Sequence, residues 1–312
     1  MNPAAFSLLR ILSDGEFHSG EAAAKMLGLS RASVCNAADA IEASGLDLFR
    51  VRGKGYRLPS KLEWLEAPEI PPFQVEIVDT IDSTNSELSR RNAPHGRVIA
   101  AEMQSAGRGR MGRSWHGAPC SSLTFSLCWR FEKGASHLSG LGPAVSLALA
   151  RAMQSMGIEG IRIKWPNDLI HNFRKLSGIL IEVKGDMLGP THAVIGIGIN
   201  LRLPAKTRED IDQAVTDLAS IASCGRNELF RSVLAELSLL LPEFEREGFA
   251  PLSEEWNRLH AYHGKEVRLL HPSGRIEEGR VDGIGAGGEL HVLTSQGRKI
   301  FSAGEISLRG KS

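Results

Sequence analysis

The pattern of apolar and polar positions over residues 1–58 predicts three helices followed by a hairpin. Apolar residues recur at helical spacing in FSLLRIL, in the alanine-rich stretch after Ser19, and in the stretch after Ser30. Serine is a favoured N-cap, and Gly28 and Gly45 are expected helix stops. The tight LGLSR turn has helix-turn-helix spacing, and LDLFRV and YRLP around RGKG are typical of a hairpin. We therefore expect a winged helix-turn-helix unit at 1–58.

The remainder of the chain changes texture three times. Residues 59–72 contain four prolines, which indicate a linker. In residues 73–255, strand-like runs alternate with helical stretches, a pattern that predicts a mixed α/β unit around one sheet. The strand-like runs are FQVEIV, RVIAAEM, SLTFSLCW, IRIKW, GILIEV and HAVIGIGINL. Residues 262–312 have short strands between glycine-rich turns, which favour a small antiparallel barrel. The predicted fold class is multidomain α+β.

Composition restricts the possible partners. The chain has 312 residues, 42% of them hydrophobic, and a net charge of +1, so binding of an anion must be local rather than driven by overall charge. The four cysteines lack zinc-site spacing and are expected to be reduced thiols. The first residues do not resemble a signal peptide, and the longest apolar stretch, LSGLGPAVSLALARAM, is interrupted by glycine and proline. We expect a cytoplasmic protein that does not bind a membrane.

The stretch QSAGRGRMGRSWH, residues 104–116, is the most unusual local feature. It places three arginines and three glycines within residues 107–113. Arginine binds phosphate and carboxylate with paired hydrogen bonds, and glycine lets backbone N–H groups approach a ligand. By itself the stretch fits a solvated loop, a nucleic-acid contact or a nucleotide-binding lid. Its position between two strand-like runs favours an active-site loop.

Four other motifs carry polar groups at the ends of predicted elements. DSTNSEL (82–88) fits a helix cap or a polar pocket floor, and KWPNDL (164–169) fits a turn that orients a substrate or a metal. Lys175 precedes the apolar run GILIEV and fits either a surface position or a catalytic one. GIGINL (196–201) ends an apolar strand near Asn200 and lacks the dinucleotide-binding glycine pattern.

The order of these motifs resembles that of the biotin–protein ligase family. The motifs are DSTN, the GRGR loop ending in tryptophan, KWPND, RKLSGILIE and GIGIN. With a winged helix in front and an SH3-like barrel ending in GEISLR behind, the chain resembles the bifunctional branch that also represses transcription. The resemblance implies a central ligase domain at 73–255. It also implies that ATP and biotin form biotinyl-5′-AMP, whose biotinyl group is then transferred to a lysine of a carrier protein such as that of acetyl-CoA carboxylase.

The resemblance also assigns roles to residues. The biotin ring would contact Ser83, Thr84, Asn85 and Gln104, and the carboxylate and phosphate would contact Arg108, Gly109 and Arg110. Lys175 would face the activated carbonyl, Asp168 would lie near the incoming lysine or a metal, and Trp115 would lie near adenine. Asn200 completes the expected substrate-binding set. The expected catalytic residues are Arg110, Lys175 and Asp168, with Mg²⁺ accompanying ATP and no metal ligands or tightly bound prosthetic group of the protein's own.

Residues 116–127, HGAPCSSLTFSL, depart from the family pattern. Ser122 and Thr124 replace the expected asparagine and aromatic residue, and Met111 replaces the usual arginine or glutamine. The contacts on the adenine side are therefore not fixed by the resemblance.

The expected DNA-binding surface combines the third helix and the hairpin. Its expected contact residues are Ser30, Arg31, Ser33, Asn36, Arg50, Arg52, Lys54 and Arg57. Asp39 and Glu42 make the helix net negative, so the basic residues of the hairpin would supply most phosphate contacts. A helix-turn-helix retained only for packing is the alternative.

The expected partners are a biotin carboxyl carrier domain, operator DNA, and a second copy of the chain when the adenylate is bound. Two other functions remain open at this level. One is a lipoate or octanoate ligase of the same fold, and the other is a ligand-responsive transcription factor without catalysis.

Overall fold

The computed structural model describes residues 1–185, 189–303 and 306–310. The N-terminal region contains the three predicted helices and the hairpin. These elements are α1 (Pro3–Leu12), α2 (Gly20–Leu27), α3 (Arg31–Ala43), and the antiparallel pair β1 (Phe49–Val51) and β2 (Gly55–Arg57).

Side-chain caps fix where the three helices begin. The side chains of Asn2, Ser19 and Ser30 each accept a hydrogen bond from a backbone N–H in the first turn. Gly28 ends α2 with a φ of 65°, a left-handed conformation that favours glycine. The helices enclose a core of their own, which includes Leu8, Leu9, Leu12, Val34, Ala38, Ile41 and Leu58.

The middle region is built on one mixed sheet of seven strands, as predicted. Its strands are β3 (Gln74–Ile81), β4 (Arg97–Gln104), β7 (Ser122–Phe131), β8 (Arg162–Lys164), β9 (Asp168–His171), β10 (Arg174–Gly185) and β11 (Thr191–Asn200). Two further short strands, β5 (Gly107–Arg108) and β6 (Ser114–Trp115), pair with each other within residues 104–116, which we call the basic loop. The order in the sheet is β3-β4-β7-β11-β10-β9-β8. Only β3 and β4 pair in parallel among these neighbours.

Helices cover both faces of this sheet. They are α4 (Thr84–Arg90), α5 (Leu141–Ser155), α6 (Ala205–Glu209), α7 (Arg226–Glu247) and α8 (Ser253–Leu259). Val98 and Ala100 of β4 belong to the large core that also contains the buried residues of α5 and α7. Ile99, between them, packs with Leu88 of α4 on the opposite face.

The C-terminal region forms a five-stranded antiparallel sheet in the order β15-β14-β13-β12-β16. Its strands are β12 (Glu266–Leu270), β13 (Ile276–Ile284), β14 (Leu290–Thr294), β15 (Gly297–Phe301) and β16 (Ser307–Gly310). Buried residues such as Val267, Leu290 and Leu308 belong to the same core as the middle sheet. The two sheets therefore share one continuous interior.

Residues 59–72, the predicted linker, lack helices and strands. The segment is nevertheless held against the middle region. The backbone N–H of Leu65 donates to Glu102 at 2.7 Å, and the backbone N–H of Arg226 donates to Glu63 at 2.6 Å. Glu102 and Arg226 form an ion pair in which both side chains are at most 3% exposed. The linker is thus docked on β4 and the start of α7.

Among the helices of the described residues, none has the length and apolar character required to cross a membrane. All four cysteines are free thiols, and Cys35 lies exposed on α3.

KWPNDL forms the predicted turn, and this turn joins β8 to β9, a strand that was not identified from the sequence. The strand expected at GILIEV is longer and begins at Arg174, so Lys175 lies within β10 instead of before it. Polar positions hid both features, because β9 has only two buried residues and the first two residues of β10 are exposed or half-buried.

Candidate active site

A cavity lies on the face of the large sheet that carries α4. Thr124 and Ser126 of β7 and Gly196 and Gly198 of β11 have the same strand parity as the residues packed against α4, so they share that face. Nine of the ten predicted substrate-binding residues line this cavity, and so does the predicted catalytic Asp168. They are Ser83, Thr84, Asn85, Gln104, Arg108, Gly109, Arg110, Trp115 and Lys175. Four separate segments of the chain therefore meet at one site.

Asn200, the tenth residue, lies outside the cavity lining. It is buried, and its side-chain nitrogen donates to the backbone oxygen of Thr216 at 3.1 Å. Asn200 therefore holds the segment after β11 instead of facing the cavity.

The floor of the cavity depends on two glycines. A Cβ at Gly198 would lie 2.5 Å from the Trp115 ring, and a Cβ at Gly196 would lie 2.1 Å from Oδ1 of Asn85. Both distances are too short for any larger residue unless the neighbouring side chain moves. The glycines of GIGIN thus let the indole ring of Trp115 and the amide of Asn85 lie against the sheet.

A chain of hydrogen bonds crosses the polar part of the floor. The backbone N–H of Thr84 donates to Oε1 of Gln104 at 2.8 Å, and the hydroxyls of Thr84 and Ser126 are 2.6 Å apart. Ser126 donates to Oδ1 of Asn85, whose Nδ2 donates to Glu182 at 3.0 Å. Ser83, which the sequence suggested as a cap, does cap α4.

The arginines of the basic loop have different environments. Arg108 is half-exposed and forms an ion pair with Glu182 at 2.6 Å. Arg110 donates to Oδ1 of Asn167 at 2.7 Å. Burial lowers the pKa of Arg110 from its ordinary value, an effect that nearby Asp168 opposes. Arg110 therefore presents a poorly hydrated cation that would gain from contact with an anion.

Opposite the loop, two lysines flank one carboxylate. Nζ of Lys175 is 3.0 Å from Oδ1 of Asp168. Burial lowers the pKa of Lys164 from its ordinary value, and Asp168 again opposes the shift. Among the described residues that line the cavity, Asp168 is the one acidic side chain, against six cationic ones. The cationic residues are Arg108, Arg110, Arg113, Lys164, Lys175 and Arg309. This charge balance suits a ligand with several negative charges.

Several residues of the site had no assigned binding role at the sequence level. Lys164, Asn167 and Glu182 lie within motifs that were recognised, so their positions could have been tested as candidates. Ser126 lies in an apolar strand, where only strand parity distinguishes it. Arg309 reaches the cavity from β16, and no local pattern could have indicated that.

Two family models match the chain. The model of the biotin/lipoate A/B protein ligase family matches residues 77–200, and that of the biotin protein ligase C-terminal domain matches residues 262–309. The bifunctional ligase/repressor BirA of Escherichia coli (strain K12) is 35% identical over 319 aligned positions, covering 99% of this chain and 98% of that protein. The chain belongs to the biotin–protein ligase family.

Other members of the biotin–protein ligase family are similar over about three quarters of this chain. The biotin–[acetyl-CoA-carboxylase] ligase of Paracoccus denitrificans is 32% identical, over 73% of this chain and 98% of that protein. A structure of biotin protein ligase from Aquifex aeolicus in complex with biotin and ATP has a TM-score of 0.66 and 28% identity. It covers 76% of this chain and 99% of that chain. The mixed central sheet and the C-terminal antiparallel sheet are thus the fold of this family.

The predicted DNA-binding residues occupy a separate surface on α3 and the hairpin. Ser30 caps α3 and also contacts the Ser33 hydroxyl at 2.9 Å, while Arg31, Asn36 and Arg52 are exposed. Arg50 forms ion pairs with Asp39 at 2.6 Å and with Glu42.

The other two basic residues of the hairpin lie beside an aromatic ring. The Arg57 guanidinium carbon is 4.9 Å, and the Lys54 nitrogen 5.7 Å, from the ring centre of Phe17. The hairpin therefore offers less unpaired positive charge than its sequence suggests.

Proposed function

We propose that this chain is an ATP-dependent biotin–protein ligase whose reaction takes place in the cavity described above. The proposal rests on one observation: in a chain of this family, the same cavity has a floor of small polar side chains and a wall of six cations. The floor matches a small ring with amide-like groups, and the cations match a carboxylate next to a polyphosphate.

In the first step, a carboxylate oxygen of biotin attacks the α-phosphorus of ATP. The P–O bond to the β-phosphate breaks, and biotinyl-5′-AMP and pyrophosphate form. Arg108, the Gly109 backbone and Arg110 would hold the reacting carboxylate and phosphate, and Lys175 would face the oxygens on which negative charge increases. Ser83, Thr84, Asn85 and Gln104 would hold the ring. Trp115, whose ring lies against Gly198 of β11, would contact the biotin ring and not adenine as the resemblance implied.

In the second step, a lysine amine of the carrier attacks the carbonyl carbon of the adenylate, and AMP leaves. That lysine has an ordinary pKa of about 10.4 and must lose a proton first. Asp168, 3.0 Å from Lys175, is the carboxylate placed to accept it.

Mg²⁺ would enter with the phosphates of ATP and neutralise charge on the leaving group. Within the described residues, no three His, Cys, Asp or Glu side chains are grouped as a metal site. Asp168 is the carboxylate of the cavity lining that could contribute an oxygen ligand.

We also propose that residues 1–58 form a winged helix-turn-helix that binds operator DNA and makes the ligase a biotin-responsive repressor. Residues 73–255 would be the catalytic unit, and residues 262–312 an SH3-like barrel that closes the cavity. The chain would act in the cytoplasm, away from membranes, and would dimerise when it holds the adenylate.

Exchange of labelled pyrophosphate into ATP tests the ligase. Exchange should depend on biotin, and lipoate or octanoate should not replace it. Exchange with lipoate alone would instead favour the related acyl ligase. The mass increase of a biotin carrier domain then separates the enzyme from a regulator without catalysis, which would leave the carrier unmodified.

Binding to a duplex that carries a biotin-operon sequence tests the repressor. Affinity should fall as salt rises and increase when biotinyl-5′-AMP is added. Absence of binding at low salt would leave the N-terminal unit with a packing role.

A further inference from the structure

We propose that Glu182 is a positioning residue that fixes the orientation of the Asn85 amide and, through it, the direction in which the Ser126 and Thr84 hydroxyls donate along the cavity floor. The inference rests on the proposed function, because it concerns how that floor recognises the ring of biotin. Glu182 lies on β10, and it touches both Asn85 of the floor and Arg108 of the basic loop.

The direction of these hydrogen bonds follows from the carboxylate of Glu182. An ionised carboxylate only accepts hydrogen bonds, so the group of Asn85 that faces Glu182 must be its NH₂. Nδ2 of Asn85 is 3.0 Å from Oε2 of Glu182, and it also lies 3.4 Å from the backbone oxygen of Leu180, which only accepts. Oδ1 of Asn85 must then point the other way, toward the hydroxyl of Ser126.

The orientation of Asn85 determines the two hydroxyls behind it. An amide oxygen only accepts, so Ser126 uses its single hydrogen to donate to Asn85. Ser126 can therefore only accept from Thr84, whose hydroxyl is 2.6 Å away and must donate. Both hydroxyl hydrogens are then used within the floor, and a ligand meets Thr84 and Ser126 only as acceptors.

Gln104 supplies the opposite property. Its Oε1 accepts from the backbone N–H of Thr84 at 2.8 Å, which leaves Nε2 to donate. The floor thus offers hydroxyl acceptors and an amide donor. The cyclic urea of biotin has two N–H groups and one carbonyl oxygen, which is the complementary set.

The same carboxylate also holds the loop. Both terminal nitrogens of Arg108 donate to Glu182, at 2.6 and 3.2 Å. The pair is partly exposed, with Arg108 47% and Glu182 32% accessible, so it contributes little to folding stability. Loss of Glu182 should consequently affect binding of biotin far more than it affects the fold.

The isosteric variant Glu182→Gln tests the direction of these bonds. Its new NH₂ group can donate to Asn85, which allows the Asn85 amide to turn and the hydroxyls to reverse. We expect the KM for biotin in pyrophosphate exchange to rise about tenfold, a change of about 1.4 kcal/mol. The KM for ATP should rise less, because ATP is affected only through the loss of the charged partner of Arg108. Glu132→Gln is the matched control, because Glu132 also pairs with an arginine, Arg130, at 2.7 Å, but lies outside the cavity.

A double variant distinguishes an effect on hydrogen-bond direction from an effect of lost charge or of misfolding. Asn85→Asp combined with Glu182→Gln exchanges the acceptor and the donor, keeps the net charge, and restores the order in which Ser126 donates. It should give a KM for biotin below that of either single variant, because the carboxylate introduced at position 85 can only accept from Ser126. Recovery should be incomplete, because the contact of the Asn85 NH₂ with the Leu180 backbone oxygen is lost. This variant decides the question even if Glu182→Gln alone fails to fold.

An unchanged KM for biotin in Glu182→Gln, or no recovery in the double variant, would overturn the role of Glu182. These results are distinct from failure of the proposed function, in which the unchanged protein itself would show no exchange that depends on biotin.

Discussion

The cavity and the N-terminal helical surface both carry clustered basic residues, but they assemble them differently. In the cavity, six cations from four parts of the chain face one acidic lining residue, and two of the six are held in ion pairs. On the N-terminal surface, most of the basic residues come from one short hairpin, where Arg50 is paired with Asp39 and Glu42. The cavity thus gathers charge that is distant in the sequence, whereas the charge of the hairpin is local.

This difference explains why sequence alone identified the cavity more firmly than the DNA surface. The cavity is built from several motifs that occur along the chain in a fixed order, and such an order is unlikely to arise by chance. The glycines and polar residues of these motifs come together only in the folded sheet. A basic hairpin next to a helix is common, and its acidic neighbours determine how much charge remains available. Each of the following variants is compared with a matched control variant elsewhere in the chain.

The largest effect on stability is expected at the buried ion pair against which the linker is docked. Glu102→Gln removes one half of the buried pair with Arg226 and leaves an uncompensated charge. It should cost about 3–5 kcal/mol in the free energy of unfolding, measured with urea. Glu255→Gln, whose pair with Arg151 is about one-third exposed, should cost at most about 1 kcal/mol. Equal costs would contradict the expectation that the buried Glu102–Arg226 pair is more costly to break than the partly exposed one.

Within the cavity, Lys175→Gln should reduce adenylate formation by a factor on the order of 10²–10³, because one donor to the developing charge is lost. Biotin-dependent pyrophosphate exchange measures this rate. Lys184→Gln, on the same strand but bonded to Asn92 at the surface, is the control and should keep normal exchange. Normal exchange in Lys175→Gln would remove this lysine from the chemistry.

A smaller effect is expected from the floor. Gly198→Ala places a methyl group 2.5 Å from Trp115, so the ring must move off the sheet. The KM for biotin should rise about tenfold, since displaced contacts weaken orientation of the substrate. Tryptophan fluorescence should also shift. Gly142→Ala, whose added Cβ comes no closer than 3.8 Å to Asn167, should change neither quantity.

The smallest effect is expected on the N-terminal surface. Replacing Asp39 by Asn and Glu42 by Gln releases Arg50, and affinity for a duplex should increase several-fold at low salt. The salt dependence should steepen by about 0.9 in the log–log slope for each phosphate newly contacted. Glu254→Gln with Asp282→Asn changes the net charge equally in α8 and in β13 of the C-terminal sheet, where each carboxylate also pairs with an arginine. If both pairs of changes act alike, Arg50 makes no specific contact.

Much of the fold was accessible from the sequence because its signals are local. Helices begin at Ser19 and Ser30 and end at Gly28, as expected, and the long apolar strands of the middle region are present. The strand at IRIKW and the turn at KWPNDL are also present, but β9 was missed because it is short and has only two buried residues.

Long-range geometry accounts for the rest. The bidentate contact between Arg108 and Glu182 joins residues 74 positions apart, and Arg309 reaches the cavity from another sheet. Asn200 ends a recognised motif, yet its amide turns to the backbone of Thr216, which no spacing rule could show.

The shared interior of the middle and C-terminal sheets has a consequence for cooperativity. Since Leu290 and Leu308 complete the same core as the α5–α7 layer, neither sheet can melt without exposing the other. The three N-terminal helices have a separate core and can open as an independent unit. Heat or denaturant is therefore expected to unfold the N-terminal helices first and to leave the two sheets, with the cavity that they line, still folded.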